Sequence, residues 1–321
     1  MTEQLPQVTH TYQNHILNST RWQYFQPRAD DIVIATSIKS GTTWMQEIVR
    51  QLIFSGQPAA SERDDTALWQ VSPWLEWRMI PSAVMLGQLE AQQHRRFIKC
   101  HLPLDGLPFF PQVKYIVVGR DTRDVAMSLW NHYAEFNDGV FEGTNGVPER
   151  VGDPFPLPPP DIHHFWQDWI SRGWFAWESE GYPFWGNLHH TQSWWAYRHL
   201  PNILFVHYND LKAELVGEIR RIADFLTVSL ADDALPQIVQ AVSLDAMRER
   251  EGRLDEGMKM SWKEGAKTFF FKGTNGRWQE VLSADEVQRA SLATLGALFA
   301  QVLSLDEMLE KIQSTTDRIG D

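Results

Sequence analysis

The sequence predicts an α/β fold in which helices flank one mostly parallel sheet. Short apolar runs rich in β-branched residues, such as Asp31–Ala35, are typical of buried strands. These runs alternate with stretches of helical periodicity, as at Thr43–Phe54, where Trp44, Ile48 and Leu52 share a face. This alternation is typical of a parallel sheet that is covered on both sides. Ligands of such sheets bind beyond the carboxyl ends of the strands, where we therefore expect the site.

The elements follow from the same patterns. Strands are expected at residues 31–35, 97–101, 114–119 and 202–208, and helices at 43–54, 124–133 and about 212–226. Residues 1–29 are expected to form an extended or partly helical arm. Residues 137–161 are rich in Gly and Pro, which indicates an inserted, mobile loop. The prediction is a single domain over residues 1–321, with a core at about 31–283 and C-terminal helices at about 284–312.

Composition narrows the class of protein. Hydrophobic residues make up 43% and charged residues 22%, as in ordinary globular proteins. No run of about 18 apolar residues occurs, so no membrane span is expected. The single cysteine and the lack of a recognisable secretory signal favour the cytoplasm. A net charge of −12 argues against general nucleic-acid binding, so the cationic partners of an anionic ligand must be gathered locally.

Residues 36–42, here called the phosphate loop, join the first strand to the first helix. Backbone N–H groups and the helix dipole make such a turn a binding site for phosphate. The loop is not a Walker A motif, because Lys39 precedes Gly41 by two residues and Thr42 stands where that motif has its lysine. The loop therefore predicts a phosphate ligand other than ATP–Mg²⁺.

The second strand carries two candidate catalytic side chains. Side chains alternate along a strand, so Lys99 and His101 share one face and Cys100 points to the other. A cation beside an imidazole suits a reaction that needs a proton acceptor next to developing negative charge. The alternative is that His101 is a hydrogen-bonded structural histidine. Cys100 is most simply a small buried residue.

Further cations follow the third strand. Arg120 leaves its end, and Ser128 lies eight positions later in the next helix. Arginine is suited to bidentate contact with phosphate. Arg123 and Asp124 have an equally good interpretation as a solvated cluster at a helix N-terminus. Near the C-terminus, Phe271–Gly276 forms a turn that could gather N–H groups around an anion, although such turns are common.

Tryptophan is concentrated in one segment of the chain. These residues could simply fill the core, or they could line an apolar pocket beside the Gly/Pro-rich loop. The tryptophans in question are Trp166, Trp169, Trp174, Trp177, Trp185, Trp194 and Trp195.

Together these segments resemble the cytosolic sulfotransferase family, which has a P-loop-like phosphate site. Its members transfer a sulfuryl group from 3′-phosphoadenosine 5′-phosphosulfate (PAPS) to a hydroxyl or amine. Five segments match in the family's order between about residues 31 and 283. They are Lys39–Trp44, Lys99–Pro103, Arg120–Ser128, Trp185–Leu211 and Phe270–Trp278.

The resemblance implies a role for each candidate residue. Lys39 would contact the bridging oxygen of the leaving phosphate, Lys99 would neutralise the transferring group, and His101 would accept the proton of the acceptor. The product would be 3′,5′-adenosine bisphosphate, and no metal would be needed, because lysines and backbone dipoles can stabilise the charge. The nucleotide would be bound by Lys39, Ser40, Gly41 and Thr42 of the phosphate loop and by Thr43 next to it, with Trp44 stacked on the adenine. Tyr208 would contact the nucleotide from its strand end, and the 3′-phosphate would be held by Arg120, Ser128, Lys272 and Gly273.

The sequence also departs from the family's pattern. Phe271 stands where the family has an arginine for the 3′-phosphate, and Arg277 is a candidate substitute. Val242 stands where a threonine approaches the adenine, with Ser243 beside it. All four fixed positions of the family's dimer motif differ, so the oligomeric state stays open. Those positions are Gln279, Ser283, Ala284 and Gln288.

The expected function is transfer of a sulfuryl group from PAPS to a hydroxyl of an apolar or aromatic small molecule, in-line, with His101 as general base. The acceptor's identity does not follow, because the loop at 137–161 falls where the family builds its acceptor pocket. One alternative is a catalytically silent protein that binds adenosine bisphosphate. Another is a P-loop kinase or ATPase, which the missing Gly-Lys pair disfavours. A membrane-anchored glycan sulfotransferase is disfavoured for lack of an anchor, although a lipid or sugar acceptor stays open.

Overall fold

The computed structural model describes residues 5–55, 66–148 and 150–289. Its sheet consists of β1 (Ile32–Thr36), β2 (Phe97–Cys100), β3 (Lys114–Gly119) and β4 (Ile203–His207). The strands lie in the order β2-β1-β3-β4, and every neighbouring pair is parallel. The predicted α/β class and parallel sheet are therefore confirmed.

Helices connect the strands and cover the sheet. Short 3₁₀ turns occur at Ser19–Tyr24, Leu104–Gly106 and Arg277–Glu280. The α-helices are α1 (Thr42–Phe54), α2 (Leu68–Val71), α3 (Ser82–Ala91), α4 (Thr122–Tyr133), α5 (Asp138–Asn145), α6 (Ile162–Ser171), α7 (Asn187–Trp195), α8 (Tyr208–Ala213), α9 (Leu215–Leu226), α10 (Leu235–Ala241), α11 (Leu244–Leu254), α12 (Glu256–Ser261) and α13 (Ala266–Phe269).

Alternate residues of each strand enter different cores. On β1, Val33 and Ala35 belong to a core that also contains Cys100 and most of the buried tryptophans. Ile32 and Ile34 face the opposite way, into a core built with α1, α9 and α10. The period-2 alternation of strand side chains thus gives the sheet a packed layer on each face.

Two predicted elements differ in the structure. The expected helix at about 212–226 is divided, because Glu214 (φ −136°, ψ 54°) leaves helical geometry between α8 and α9. Residues 137–161, expected to be a loop, contain α5, whose Phe141 packs against Tyr133 and Phe155. Burial of that aromatic side chain offsets the weak helix propensity of the local glycines.

The predicted N-terminal arm lies largely within the described residues, and the predicted C-terminal helices do not. The predicted partly helical arm is represented by the 3₁₀ turn at Ser19–Tyr24, whose Trp22 lies in the core. The predicted C-terminal helices at about 284–312 fall mostly outside the described residues. Within the part of the chain that the structure describes, no helix is both long and apolar enough to cross a membrane.

A buried charge network ties α1 to α11. Glu47 contacts Arg50 at 2.7 Å and Arg250 at 2.6 Å, and Arg50 reaches Glu251 at 3.5 Å. Glu251 also accepts a hydrogen bond from the Leu68 backbone N–H at 3.0 Å. Since these carboxylates are fully enclosed, their partners are essential to keep the charges buried.

Candidate active site

Candidate residues converge at the carboxyl edge of the sheet. The phosphate loop follows β1, His101 follows β2, Arg120 follows β3, and Tyr208 follows β4. Strand register brings these ends together, because Ala35 pairs with Cys100, Thr36 with Val118, and Gly119 with His207. The site expected from the strand pattern is therefore assembled by the sheet itself.

The phosphate loop is held in a narrow range of conformations. Lys39 and Gly41 both have positive φ, 62° and 108°. A Cβ atom on Gly41 would lie 2.8 Å from the Tyr208 ring, so only glycine fits there. No side chain caps the first turn of α1, which leaves its N-terminus available to an anion.

Side chains inside the loop hold one another. The Ser40 hydroxyl lies 2.6 Å from that of Ser37, and the Thr42 hydroxyl lies 2.6 Å from that of Thr36. The Asn187 amide donates to Ser37 from α7. Asn187 was missed in the sequence because it lies 150 residues from its partner and belongs to no motif.

His101 is oriented as a proton acceptor. It is 3% exposed, and its Nδ1 lies 2.7 Å from the carbonyl oxygen of Thr36. A carbonyl can only accept, so Nδ1 carries the proton and Nε2 keeps its lone pair. Burial and the charge of Lys99 hold the pKa of His101 well below its usual value, which keeps the ring neutral.

Glu76 fixes the backbone at this point. Its carboxylate accepts from the His101 N–H at 2.5 Å and from the Trp22 indole at 3.0 Å. Burial raises the pKa of Glu76, although these hydrogen bonds oppose the shift. No sequence pattern pointed to Glu76, because a single buried carboxylate leaves no periodic signal.

Lys99 and His101 lie on one side of β2, as the strand alternation predicted. The Lys99 ammonium stands 4.2 Å from the centre of the Trp74 ring, and His101 packs edge-on against the same ring at 4.9 Å. Cys100 is buried in the core on the other face. Burial lowers the pKa of Lys99 to about 8.

Lys39 contacts an imidazole and an aromatic ring. Its ammonium is 3.3 Å from Nδ1 of His132 and 4.9 Å from the centre of the Phe269 ring. Burial, followed by the charges of Arg120 and Lys99, lowers the pKa of Lys39 to about 7. Lys39 therefore lies close enough to Arg120 and Lys99 for their charges to disfavour its own.

Arg120 joins the phosphate loop to the turn at Phe271–Gly276, here called the C-terminal turn. It donates to the Lys39 carbonyl at 3.0 Å, to the Asn275 side chain at 2.7 Å and to the Thr274 carbonyl at 3.2 Å. Its guanidinium also lies 4.1 Å from the centre of the Tyr208 ring. Asn275 was not expected at the site, because Asn-Gly pairs usually signal only a turn.

Trp44 and Tyr208 are neighbouring aromatic residues at the edge of the site. Their ring centres are 5.4 Å apart, and the Tyr208 hydroxyl lies 3.4 Å from the Gly273 carbonyl. The Tyr208 ring therefore lies beside this turn, with the Trp44 ring against it.

Several other predicted site residues have no side-chain contact with the phosphate loop within the described ranges. Phe271 is 39% exposed, with Lys272 at 5.2 Å and Arg277 at 5.0 Å from its ring centre. Within the described ranges, no side-chain contact links Thr43, Ser128 or Lys272 to the phosphate loop.

Contacts and burial decide between the alternative interpretations of three other features. Arg123 pairs with Asp121 at 2.5 Å and stacks on Trp278, as expected for a structural cluster at a helix start. Ser243 accepts from the Ala246 N–H and so caps α11. Of the clustered tryptophans, the core interpretation holds for four that are almost fully buried. They are Trp166, Trp169, Trp185 and Trp194.

The fold and the site at the carboxyl edge of the sheet define a class of protein. Its members are α/β proteins that have a P-loop-like phosphate site but no Walker lysine. The sequence model of the sulfotransferase domain matches residues 29–299, which is more than half of the chain. The chain belongs to the sulfotransferase domain family.

Known proteins support this assignment. The chain is 34% identical to a glycolipid sulfotransferase of Mycobacterium bovis, over 86% of this chain and 87% of that protein. Its fold resembles retinol dehydratase in complex with retinol and PAP (TM-score 0.64, 22% identity, 87% and 84% of the two chains). It also resembles mouse sulfotransferase SULT7A1 complexed with PAP (TM-score 0.62, 20% identity, 92% of each chain). The family resemblance drawn from the motifs is thus confirmed.

Proposed function

We propose that this sulfotransferase transfers a sulfuryl group from PAPS, in-line, to a hydroxyl of an apolar or aromatic small molecule. The observation that carries the proposal is the hydrogen bond from His101 Nδ1 to the Thr36 carbonyl. It leaves Nε2 as an acceptor within a buried site that also holds two lysines. That combination is what a general base for hydroxyl activation needs.

His101 acts on the hydroxyl of the acceptor. Nε2 takes the hydroxyl proton while the oxygen–sulfur bond forms and the bond from sulfur to the leaving phosphate oxygen breaks. Thr36 holds the ring through Nδ1, so the imidazolium that forms keeps its hydrogen bond to the Thr36 carbonyl. Lys99 and Lys39 stabilise the negative charge on the transferring group and on the phosphate respectively.

The phosphate loop fits a 5′-phosphosulfate. The uncapped start of α1 offers N–H groups, and Gly41 allows the backbone to pass close to Tyr208. Lys39 and Arg120 add two cations next to that start. PAPS supplies the activated sulfuryl group when bound, and these residues hold and orient it.

At the nucleotide end, Trp44 and Tyr208 would contact the adenine and Arg120 the 3′-phosphate. Phe271 replaces one expected arginine, but Lys272 and Arg277 both lie against its ring. We propose these two residues, together with Gly273 and Ser128, as the remaining 3′-phosphate contacts.

The acceptor class is supported by the aromatic surroundings of His101. Trp74 and Trp185 contact its ring, and Phe136, Trp262 and Phe269 surround the neighbouring His132. Such walls favour a ligand with large apolar surface. A lipid hydroxyl also suits them, and the name of the mycobacterial relative supports its inclusion among test acceptors. The buried free thiol of Cys100 suits a reducing compartment, and the cytoplasm remains our proposed location.

Turnover tests the proposal directly. Purified protein given PAPS and a panel of phenols, steroid alcohols and a glycolipid should release 3′,5′-adenosine bisphosphate together with a sulfated product. Bisphosphate alone should raise the melting temperature, because a ligand of the native state stabilises it. Stabilisation without transfer to any acceptor would favour a silent binding protein. Stabilisation by ATP–Mg²⁺ alone would favour a kinase.

The pH profile should reflect the buried cations. Since the pKa of His101 lies well below 6.5, the base stays neutral and kcat/KM for PAPS should be sustained on the acid side of pH 6.5. The pKa of Lys39 is lowered to about 7 and that of Lys99 to about 8, so both charges are lost as pH rises through this range. Steady-state rates should therefore fall between about pH 7 and 8. A profile that stays flat to pH 9 would contradict this assignment.

A further inference from the structure

His132 is a second buried histidine at the site, and none of the motifs includes it. It lies in the last turn of α4 and is 7% exposed. Its ring is surrounded by Phe136, Trp262 and Phe269, with ring centres 5.2, 4.6 and 5.5 Å away. Its carbonyl accepts from the Trp262 indole at 3.2 Å, so ring and backbone are both fixed.

The contact with Lys39 has a definite polarity. The Lys39 ammonium lies 3.3 Å from Nδ1 of His132. An ammonium group can only donate, so Nδ1 accepts and the ring proton must be on Nε2. The Phe269 face lies beneath the same ammonium at 4.9 Å. Two neighbours on different elements therefore locate the end of the Lys39 side chain.

We propose that His132 is a positioning residue for Lys39, whose ammonium it holds in its charged form and in one place through Nδ1. The inference rests on the proposed function, in which Lys39 contacts the leaving phosphate oxygen. A hydrogen bond to a charged donor stabilises that charge, most strongly where water is excluded. Without the acceptor, Lys39 would retain its proton less well and its ammonium would be less well placed.

The charges around this pair come from two other elements, β2 and the end of β3. Arg120, at the end of β3, and Lys99, on β2, both disfavour the charged form of Lys39. Burial, followed by the charges of Lys39 and Lys99, holds the pKa of His132 well below its usual value, so the imidazole stays neutral beside the ammonium. His132 is the one hydrogen-bond acceptor that a described contact gives to the Lys39 side chain.

Two substitutions separate this role from packing. His132→Phe keeps an aromatic ring in the cage but removes the acceptor, and His132→Asn restores an acceptor oxygen near the position of Nδ1. We expect His132→Phe to lower kcat about tenfold and to move the alkaline limb of the kcat profile about one pH unit lower. His132→Asn should recover most of the lost rate and return the limb toward the wild type.

Chemical labelling provides a readout that needs neither PAPS nor an acceptor. The reactivity of Lys39 toward acetic anhydride, followed by mass spectrometry from pH 5 to 10, reports the fraction of unprotonated amine. The midpoint should be near 7 in the wild type and about one unit lower in His132→Phe. Lys259, an exposed lysine on α12, serves as an internal reference.

The outcomes are separable. An unchanged Lys39 midpoint in folded His132→Phe overturns the proposal, and so does an unchanged kcat in an active enzyme. If the wild type fails to turn over PAPS, the proposed function fails, and the labelling midpoint still decides whether His132 holds the charge on Lys39.

Discussion

Replacement of His101 by alanine is expected to lower kcat by about 10²-fold or more, as loss of a general base usually does. The side chain supplies the free Nε2 lone pair, and no other described group has its combination of burial and orientation by the Thr36 carbonyl. The contact that fixes the strand end uses the backbone N–H of His101, so Glu76 keeps its partner in the variant. Steady-state turnover with PAPS measures the effect.

Two controls make that result specific. Bisphosphate should raise the melting temperature of His101→Ala as it does for the wild type, because the side chain is assigned to the acceptor. His163→Ala removes an exposed histidine that contacts Glu286 at 2.9 Å, and its kcat should be unchanged. Near-normal turnover by His101→Ala would exclude His101 as the base.

Replacement of Glu47 by alanine is expected to cost about 3–5 kcal/mol of unfolding free energy, the usual cost of breaking a buried ion pair. Arg50 is fully buried and Arg250 nearly so, and each would lose a carboxylate within 2.7 Å. Since α1 starts at the phosphate loop, this network also anchors the helix that presents the loop. Urea unfolding of the purified protein measures the change.

A matched substitution on the surface defines the scale. Glu256 pairs with Lys259 at 2.8 Å, but its side chain is 76% exposed. Glu256→Ala should cost less than about 1 kcal/mol, as is typical of exposed pairs. If Glu47→Ala cost no more than Glu256→Ala, the buried network would not contribute to stability as proposed.

Patterns of short range predicted most of the fold. All four strands were found to within a residue at each end, because buried β-branched runs alternate with helices of clear period. The break at Glu214 and the helix α5 were missed. At α5, packing of Phe141 against Tyr133 and Phe155 stabilises a helix that the local glycines do not predict.

The residues of the candidate site also divide into those that the sequence predicts and those that only the structure shows. Residues of the phosphate loop, Lys99, His101 and Arg120 stand at strand ends, so the sheet itself predicts their meeting. His132 and Glu76 reach the site over long sequence separations, and each acts as a single side chain. Such residues leave neither a period nor a motif, so only their contacts show them.

The contacts of Arg120 mean that the protein supplies internal competitors for its own ligand. Asn275 and Thr274 occupy the guanidinium that is proposed for the 3′-phosphate. If Arg120 binds the 3′-phosphate as proposed, the phosphate replaces these contacts, so the affinity for the nucleotide is the difference between two sets of hydrogen bonds. On this proposal, binding and release of the nucleotide would both require Arg120 to exchange hydrogen-bond partners.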